Sequence, residues 1–354
     1  MNRKGVSYDV GRVMGINWRP IFNPRVVHRE LEIIKNDLHC NAVRICGLAI
    51  DRLMAAAEDA LKLGLEVWLS PEMWDKSQRE TLDYIAQAAK AAETLRQRWP
   101  ERLVFCVGSE LTLFMQGIVE GKNITRRMSN SKFWSIVKAG EHDKPVNTFL
   151  TRANEVVRQV FHGKVTYAAL IWEAVDWNLF DFVGVDHYRD ERIKDQYVEM
   201  LKPLFSFGKP VVVTEFGFRT FRGAEKASAM GMGNADYITL FPHQLPLAGH
   251  FIRPRVRVIH ERDERLQARG PIDQLRLLDS AGVDGALIMT FVSPINPYDD
   301  IPLYDLDRDN FSLVKSYAND KHGVTYPDMT WEPKESFKAV ADYYAKEKHQ
   351  PIEP

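Results

Sequence analysis

The chain has 354 residues, of which 45% are hydrophobic and 27% are charged, and this composition excludes a disordered chain and a fibrous protein. Its 47 basic residues are balanced by 48 acidic ones, for a net charge of −1, so no positive field favours nucleic acid or an anionic membrane as a partner. The three cysteines, Cys40, Cys46 and Cys106, share no CxxC spacing, which disfavours a disulfide scaffold and a zinc knuckle.

The first residues and the apolar runs predict the compartment. Met1 is followed by a basic pair, but no apolar segment comes after it, so the pattern is not that of a secretory signal. No apolar run approaches the roughly 18 residues that a membrane span needs. We therefore expect a cytoplasmic protein in a reducing compartment, without a membrane partner.

Short β-rich runs alternate with amphipathic helices along the chain. Most of the runs are almost continuously apolar, which is typical of parallel strands that are buried on both faces. In chain order, the predicted strands cover residues 13–17, 42–45, 65–69, 103–107, 164–169, 182–186, 210–214 and 285–290.

Helix signals lie between these runs. A helical apolar face covers residues 23–38 and begins at an Asn-Pro pair, and residues 62–64 end the next helix with a basic turn and a glycine. Residues 77–80 read as a capping box, residues 281–282 end a helix before the last strand, and residues 337–344 form a final amphipathic helix. This alternation favours an α/β fold.

Eight strands with helical crossovers predict a closed (β/α)8 TIM barrel, with an open doubly wound sheet as the lesser alternative. We predict a single barrel domain over residues 1–354. Two connections are too long for a plain crossover, and we expect long catalytic-face insertions at about 111–163 and 218–270. Loops that follow barrel strands lie on the catalytic face, so these insertions are expected to form walls of a substrate site.

Two carboxylates follow apolar strands directly. Glu110 comes after the fourth predicted strand and Glu215 after the seventh, at positions where an uncompensated charge is costly. For either acid alone, a salt-bridged strand end is the ordinary explanation. Two such acids on one barrel mouth could instead face each other at about 5 Å, the separation used in retaining glycoside hydrolysis.

These residues resemble clan A of the glycoside hydrolases, the retaining (β/α)8 enzymes. The segment around Glu215 is similar to the nucleophile strand of that clan, residues 181–188 to its sixth strand and residues 41–44 to its second. Within the clan, residues 106–110 and 164–169 are most similar to family 113, the β-mannanase group. The opening of the chain also resembles uncharacterised bacterial and archaeal proteins labelled as abortive-infection proteins.

The resemblance implies roles for several residues. Glu110 would be the general acid/base and Glu215 the nucleophile. Arg44 would hold the nucleophile ionised, with a generic barrel salt bridge as the alternative. His187 and Tyr188 follow the sixth strand, where the clan places a hydrogen-bond donor to the nucleophile; a structural pair is the alternative reading.

Further residues are candidates for contacts with a sugar. Asn17 and Trp18 end the first predicted strand, and Ser109 stands where the clan usually has an asparagine that binds the sugar 2-OH. Phe291 stands near the end of the eighth strand, where the clan usually has a tryptophan, and could stack on the sugar. Other wall candidates lie around the third strand or follow the fifth: Trp68, Glu72, Trp74, Trp172 and Glu173.

Other chemistries lack their motifs. A metal-dependent hydrolase barrel needs His-x-His on its first strand, and the chain has neither that motif nor a phosphate-binding glycine loop, so we expect no metal and no cofactor. The sequence therefore predicts a retaining glycoside hydrolase that acts on a β-linked sugar, with a carbohydrate as its partner. The alternative is a glycosidase-like barrel that binds a carbohydrate or a partner protein without hydrolysis, with a role in phage defence.

Overall fold

A computed structural model describes residues 1–226, 234–236, 238–240, 252–318 and 321–346. Of the second predicted insertion, residues 227–233, 237 and 241–251 lie outside the described residues. No helix in the described ranges is both long enough and apolar enough to cross a bilayer.

Eight parallel strands close into a barrel, which confirms the predicted fold class. Each strand is hydrogen-bonded to the next along the chain, and the first pairs with both the second and the eighth. In chain order the strands are β1 (Arg3–Asp9), β2 (Ala42–Gly47), β3 (Glu66–Pro71), β4 (Leu103–Ser109), β5 (Lys164–Leu170), β6 (Val183–Asp186), β7 (Val211–Phe216) and β8 (Gly285–Ile288).

Helices cover the outside of the barrel and build its long connections. The predicted caps are present: Asn23 accepts a hydrogen bond at the start of the first helix, and Ser77 and Glu80 form a complete capping box. The α-helices are α1 (Pro24–Asn36), α2 (Ile50–Lys62), α3 (Gln78–Arg96), α4 (Leu111–Phe114), α5 (Ile124–Met128), α6 (Phe133–Ala139), α7 (Asp143–Arg158), α8 (Glu264–Ser280) and α9 (Glu335–Lys346). Short 3-10 helices cover Trp177–Leu179, Glu199–Phe207, Ala224–Lys226 and Leu306–Asp309.

The predicted position of the first strand is wrong. Residues 13–17 form a small hairpin, in which Val13–Met14 pairs with Ile16–Asn17 across Gly15 at φ 72°. The barrel strand is β1, which carries charged residues and lacks a continuous apolar run. Arg3, at its start, is buried and donates a hydrogen bond to Glu66 of β3 at 2.6 Å. Ion pairing therefore replaces the apolar pattern that identified the other strands.

Two apolar layers position the carboxyl ends of the strands. Inside the barrel, Trp68 packs against Phe182 at 5.0 Å between ring centroids, together with Val104, Val212 and Leu287. A much larger cluster fills the space between the strands and the surrounding helices. The barrel interior is filled, so a ligand that contacts the carboxyl ends of the strands must lie above them, where the connecting loops meet.

Candidate active site

A cavity of about 450 Å³ opens at the carboxyl ends of the strands. Its floor contains Glu110, Asp186 and Glu215, which follow or end β4, β6 and β7. One carboxylate oxygen from each of the three lies within 4.8 Å of one from the others. The two predicted acids therefore lie in the same cavity, with a third carboxylate beside them.

Glu215 is held by three donors from three elements. Arg44, on β2, donates to Oε1 at 2.7 Å, and Arg12, in the loop after β1, donates to the same oxygen at 2.9 Å. The Tyr188 hydroxyl donates to Oε2 at 2.9 Å. Burial alone would raise the pKa of Glu215, but the two guanidinium charges and the tyrosine hydrogen bond outweigh it and hold this pKa below its ordinary value.

Glu110 lies between β4 and α4 in a left-handed backbone conformation, φ 48° and ψ 46°. This conformation is unfavourable for a residue with a Cβ and is found at functional sites. Its backbone N–H donates to the Ala168 carbonyl at 2.9 Å, which ties the turn to β5. Burial, followed by the charges of Asp186 and Glu215, raises the pKa of Glu110 well above its ordinary value. Its carboxyl group is therefore protonated where that of Glu215 is ionised.

Asp186, the last residue of β6, is the third carboxylate of the floor. It accepts hydrogen bonds from the Thr214 hydroxyl at 2.6 Å and from the Ser109 hydroxyl at 3.2 Å. Burial, together with the charge of Glu215, raises the pKa of Asp186 to about 8. The sequence places Asp186 in the sixth strand, but its position against both catalytic candidates was not predicted.

Glu72 is a fourth acid of the network, and Asp9, which lies 3.5 Å from Arg12, is a fifth. Glu72, just after β3, lies 3.0 Å from Arg12 Nε and 3.3 Å from Arg44 Nη2. The two arginines thus bridge Glu72 and Glu215. A cation bound by the three floor carboxylates would be repelled by these guanidinium groups, so the donor set suits the storage of protons better than that of a metal ion.

Several predicted contact residues line the cavity. These are Trp18, Ser109, Trp172 and Tyr188, together with Glu72 and Trp74. The Trp74 ring stacks on Phe114 at 4.3 Å between centroids and meets Trp18 edge-on at 5.4 Å. Trp18, Trp74 and Phe114 therefore form one connected group, although Trp18 lies in the β1–α1 connection and not at a strand end.

His187 and Glu173 lie differently from the prediction. The His187 ring stacks on Tyr197 at 4.1 Å and its Nε2 lies 2.8 Å from the Tyr197 carbonyl oxygen, so the ring does not bind Glu215. Glu173 accepts hydrogen bonds from the Thr112 hydroxyl and the Tyr167 hydroxyl, the latter at 2.9 Å. Both side chains are buried among partners of their own and support the loops around the cavity.

Phe291 and Asn17 are also displaced from the predicted contacts. Phe291 is 0% exposed and packs against Tyr8 and Trp331 in the core, so it cannot stack on a sugar. The Asn17 side chain accepts a hydrogen bond from the Arg19 backbone at 2.9 Å and does not line the cavity. The polypeptide around residue 291 turns outward after β8, and the neighbouring Thr290 and Val292 line the cavity instead.

Sequence reasoning missed Arg12 as a site residue. Its position depends on β1: once the first strand ends at Asp9, the next residues must lie over the barrel mouth. Asp9 then accepts hydrogen bonds from the backbone N–H groups of Gly11 and Arg12, at 2.7 and 2.9 Å. A turn signal of this kind, Asp followed two residues later by Gly, could have located the loop.

Comparison with known proteins gives a fold but no family. No protein-family model and no curated protein matches the sequence. Among solved structures, a GH113 β-1,4-mannanase is 14% identical with a TM-score of 0.59, covering 97% of this chain and 99% of that one. The GH113 β-mannanase of Alicyclobacillus acidocaldarius is 17% identical with a TM-score of 0.57, covering 97% and 96%.

A β-glucuronidase of Ruminococcus gnavus is 14% identical with a TM-score of 0.58, covering 97% of this chain and 49% of that one. At such identities these likenesses show the fold, a barrel like that of these glycoside hydrolases. They agree with the resemblance to clan A at the level of the fold. The resemblance to abortive-infection proteins receives no support from them.

Proposed function

We propose that the protein is a retaining glycoside hydrolase that acts on a β-linked sugar. The observation that carries this proposal is the unequal surroundings of two carboxyl groups in one cavity: Glu215 accepts hydrogen bonds from two arginines and a tyrosine, whereas Glu110 lies beside other carboxyl groups. Glu215 is ionised by Arg12, Arg44 and Tyr188, whereas the pKa of Glu110 is raised by burial and by neighbouring negative charge. One group suited to attack and one suited to donate a proton are what double displacement requires.

The reaction would proceed in two steps. In the first, the Glu215 carboxylate forms a bond to the anomeric carbon while the bond to the leaving oxygen breaks, and the Glu110 proton moves to that oxygen. In the second, Glu110 takes a proton from a water molecule, the oxygen of that water forms a bond to the same carbon, and the bond to Glu215 breaks. The oxygen separation of at most 4.8 Å supports this scheme, because inversion needs about 6.5–9.5 Å between carboxyl groups to admit a water.

Tyr188 and Arg44 would act by positioning the nucleophile. Their hydrogen bonds to opposite oxygens of Glu215 fix the plane of the carboxylate as well as its charge. Asp186 would place a second carboxyl group beside Glu110, and its charge helps to keep the pKa of Glu110 raised. The GH113 β-mannanases and the β-glucuronidase with the same fold support a carbohydrate as the substrate.

A mechanism-based label tests this proposal. Activated 2-deoxy-2-fluoro β-glycosides of glucose, mannose and glucuronic acid should form a stable glycosyl-enzyme, found by mass spectrometry on Glu215. The Glu215→Gln variant is the control and should remain unlabelled. A label on another residue would reassign the nucleophile. Hydrolysis of unmodified aryl β-glycosides without any label would instead argue for a direct, inverting displacement.

A further inference from the structure

The cavity has charged groups on its floor and apolar side chains around them. One group of these apolar side chains, which we call the aliphatic wall, consists of Met14, Leu113, Ile124, Met128, Leu170 and Ile171. The floor carries the carboxylates and arginines described above. A ligand that fills this cavity must therefore have one polar part and one apolar part.

The aliphatic wall is a built part of the fold. Leu113, Ile124 and Leu170 are buried members of one hydrophobic cluster, and Met14 and Met128 pack against it. Helix α5, which carries the outer part of the wall, is anchored from beneath by the fully buried Arg127, whose guanidinium donates to the Leu113 carbonyl at 2.6 Å and to the Gly121 carbonyl at 3.0 Å. The wall therefore has a fixed position relative to α4.

Trp134 of α6 extends the aliphatic wall outward. It lines the same cavity although 48% of its surface is exposed. Its ring meets Phe133 edge-on at 5.2 Å between centroids, and Phe133 is completely buried in the cluster beneath the wall. A large apolar side chain left in contact with solvent beside a cavity is typical of a binding surface.

The wall lies on the side of the general acid. Glu110 is followed at once by α4, and the Leu113 N–H donates to the Glu110 carbonyl at 2.8 Å. A general acid protonates the oxygen that leaves with the aglycone, so the aglycone lies on the side of Glu110. In the scheme proposed above, the leaving part of the substrate is thus the part that contacts the wall.

Aliphatic side chains cannot replace the hydrogen bonds that a sugar hydroxyl loses when it leaves water. They do stabilise an apolar group of the ligand, because burial removes its surface from water. We infer that the substrate is a β-glycoside of an apolar, alkyl-type aglycone, with its sugar on the carboxylate floor and its aglycone on the aliphatic wall. This inference rests on the proposed function and names the class of substrate for it.

A homologous series of ligands tests the wall separately from the chemistry. The probes are methyl, butyl, hexyl and octyl β-D-glucosides and β-D-mannosides, used below their critical micelle concentrations. Their leaving oxygens are closely matched, so only the apolar area changes along the series. Affinity for the Glu110→Gln protein, measured by calorimetry, should rise about threefold to fourfold for each methylene that contacts the wall, with a negative heat-capacity change.

Two matched variants locate the effect. Met128 and Met200 are both half-buried methionines that line the cavity, but only Met128 belongs to the wall. Met128→Gln should lower the ratio of octyl to methyl affinity about tenfold, whereas Met200→Gln should leave that ratio within about twofold of the parent. Equal effects of the two variants, or an affinity independent of chain length, would overturn the inference.

The outcomes distinguish this inference from the proposed function. If the fluoroglycoside labels Glu215 but affinity rises with the number of sugar units and not with alkyl length, the glycosidase stands and the apolar aglycone is wrong. If chain length and Met128 control binding but no label forms, the wall binds an apolar ligand and the glycosidase proposal fails. Thermal unfolding of each variant checks that the fold is intact.

Discussion

Two buried clusters of charged side chains can be compared within this molecule. The catalytic-mouth cluster consists of Arg12, Arg44, Glu72, Glu110, Asp186 and Glu215. The C-terminal cluster consists of Arg262, Asp305, Asp307, Arg308 and Lys334. The second joins the loop after β8 to the segment before α9: Lys334 lies 2.9 Å from Asp307, and Arg262 lies 2.8 Å from the same carboxylate.

The two clusters differ in how their charges are balanced. In the C-terminal cluster each carboxylate has two cationic partners, since Arg262 and Arg308 also reach Asp305 at 3.2 and 3.1 Å. In the catalytic-mouth cluster four carboxyl groups share two guanidinium groups, and one of these, Arg12, also pairs with the neighbouring Asp9 at 3.5 Å. Within the described part of the chain, the Glu110 side chain receives no hydrogen bond.

The excess of acids at the mouth must be taken up by protons, and the raised pKa values of Glu110 and Asp186 express this. A buried network that serves only the fold satisfies each carboxylate, with cations in the C-terminal cluster and with hydroxyl groups at Glu173. A network that stores a proton beside a cavity leaves one group without a partner. The comparison therefore identifies Glu110 as the unusual residue, since Glu215 alone is an ordinary buried ion pair.

The largest expected effect concerns the two acids themselves. Glu215→Ala should abolish turnover of all glycosides, because no glycosyl-enzyme can form. Glu110→Ala should slow substrates with poor leaving groups by about 10²–10⁴-fold, and activated aryl glycosides far less, since these leave without protonation. Steady-state kinetics with a series of aryl β-glycosides of increasing phenol pKa measures the difference.

Azide provides the control for Glu110→Ala. This small anion attacks the glycosyl-enzyme without a general base, so it should restore part of the activity of that variant and release the β-glycosyl azide, whereas azide in the space left by Glu215→Ala would attack the substrate directly and give the α-glycosyl azide. Equal losses on good and poor leaving groups, with no azide effect, would show that Glu110 is a structural carboxylate. The difference in charge balance between the two clusters would then have no bearing on catalysis.

A second prediction pairs one arginine from each cluster. Arg12→Met removes a positive charge from Glu215, so the pKa of that carboxyl group should rise and the acid limb of the kcat/KM profile should move to higher pH. Arg262→Met should destabilise the fold by about 3–5 kcal/mol, because it leaves buried carboxylates without a partner. It should leave the pH profile of the remaining folded enzyme unchanged.

Kinetics between pH 3 and 8 and urea unfolding of both variants separate these effects. Arg12→Lys is the conservative control, which retains the charge and should largely retain the wild-type acid limb. A shift of the acid limb in Arg262→Met would mean that the C-terminal cluster also sets the electrostatics of the cavity. An unshifted profile in Arg12→Met would mean that Arg44 alone holds Glu215 ionised.

The sequence predicted those parts of the molecule that depend on local pattern. Seven of the eight predicted strands coincide with barrel strands, and the caps at Asn23 and Ser77 are present, because apolar runs and capping residues act on their near neighbours. The first strand was missed because its charged residues, such as Arg3, are neutralised by distant partners, here Glu66. Pairing across the barrel leaves no signal in the local sequence.

The same distinction between local pattern and distant contacts explains which site residues the sequence predicted. Glu110 and Glu215 follow apolar strands, and this position is visible in sequence, as is that of Arg44. Which way a side chain turns after a strand is decided by packing, so Phe291 lies in the core although it follows β8. Arg12 depends on where β1 ends, so the error in the first strand also concealed a partner of Glu215.

The last prediction concerns a difference in how the two clusters respond to pH, which is small over any one pH unit. The pKa of Asp186 rises on folding from an ordinary value near 3.8 to about 8, chiefly through burial. Between these values the folded state retains a proton that the unfolded state has lost, so the free energy of unfolding falls as pH rises. Burial lowers the pKa of Lys334 from 10.5 to about 8. Between these values the unfolded state holds more protons, so the free energy of unfolding rises with pH.

Asp186→Asn should therefore flatten the fall in stability between about pH 4 and 8, and Lys334→Met should flatten the rise above about pH 8. Each group accounts for at most about 1.4 kcal/mol per pH unit, and Glu110 adds to the fall in the lower window. Urea unfolding at stepped pH measures both slopes in the same protein. If Asp186→Asn follows the wild-type slope below pH 8, Asp186 is ionised in the folded state. The excess protons of the mouth would then reside on its other carboxyl groups, of which Glu110 has the pKa raised well above its ordinary value, and its assignment as the acid would be sharpened.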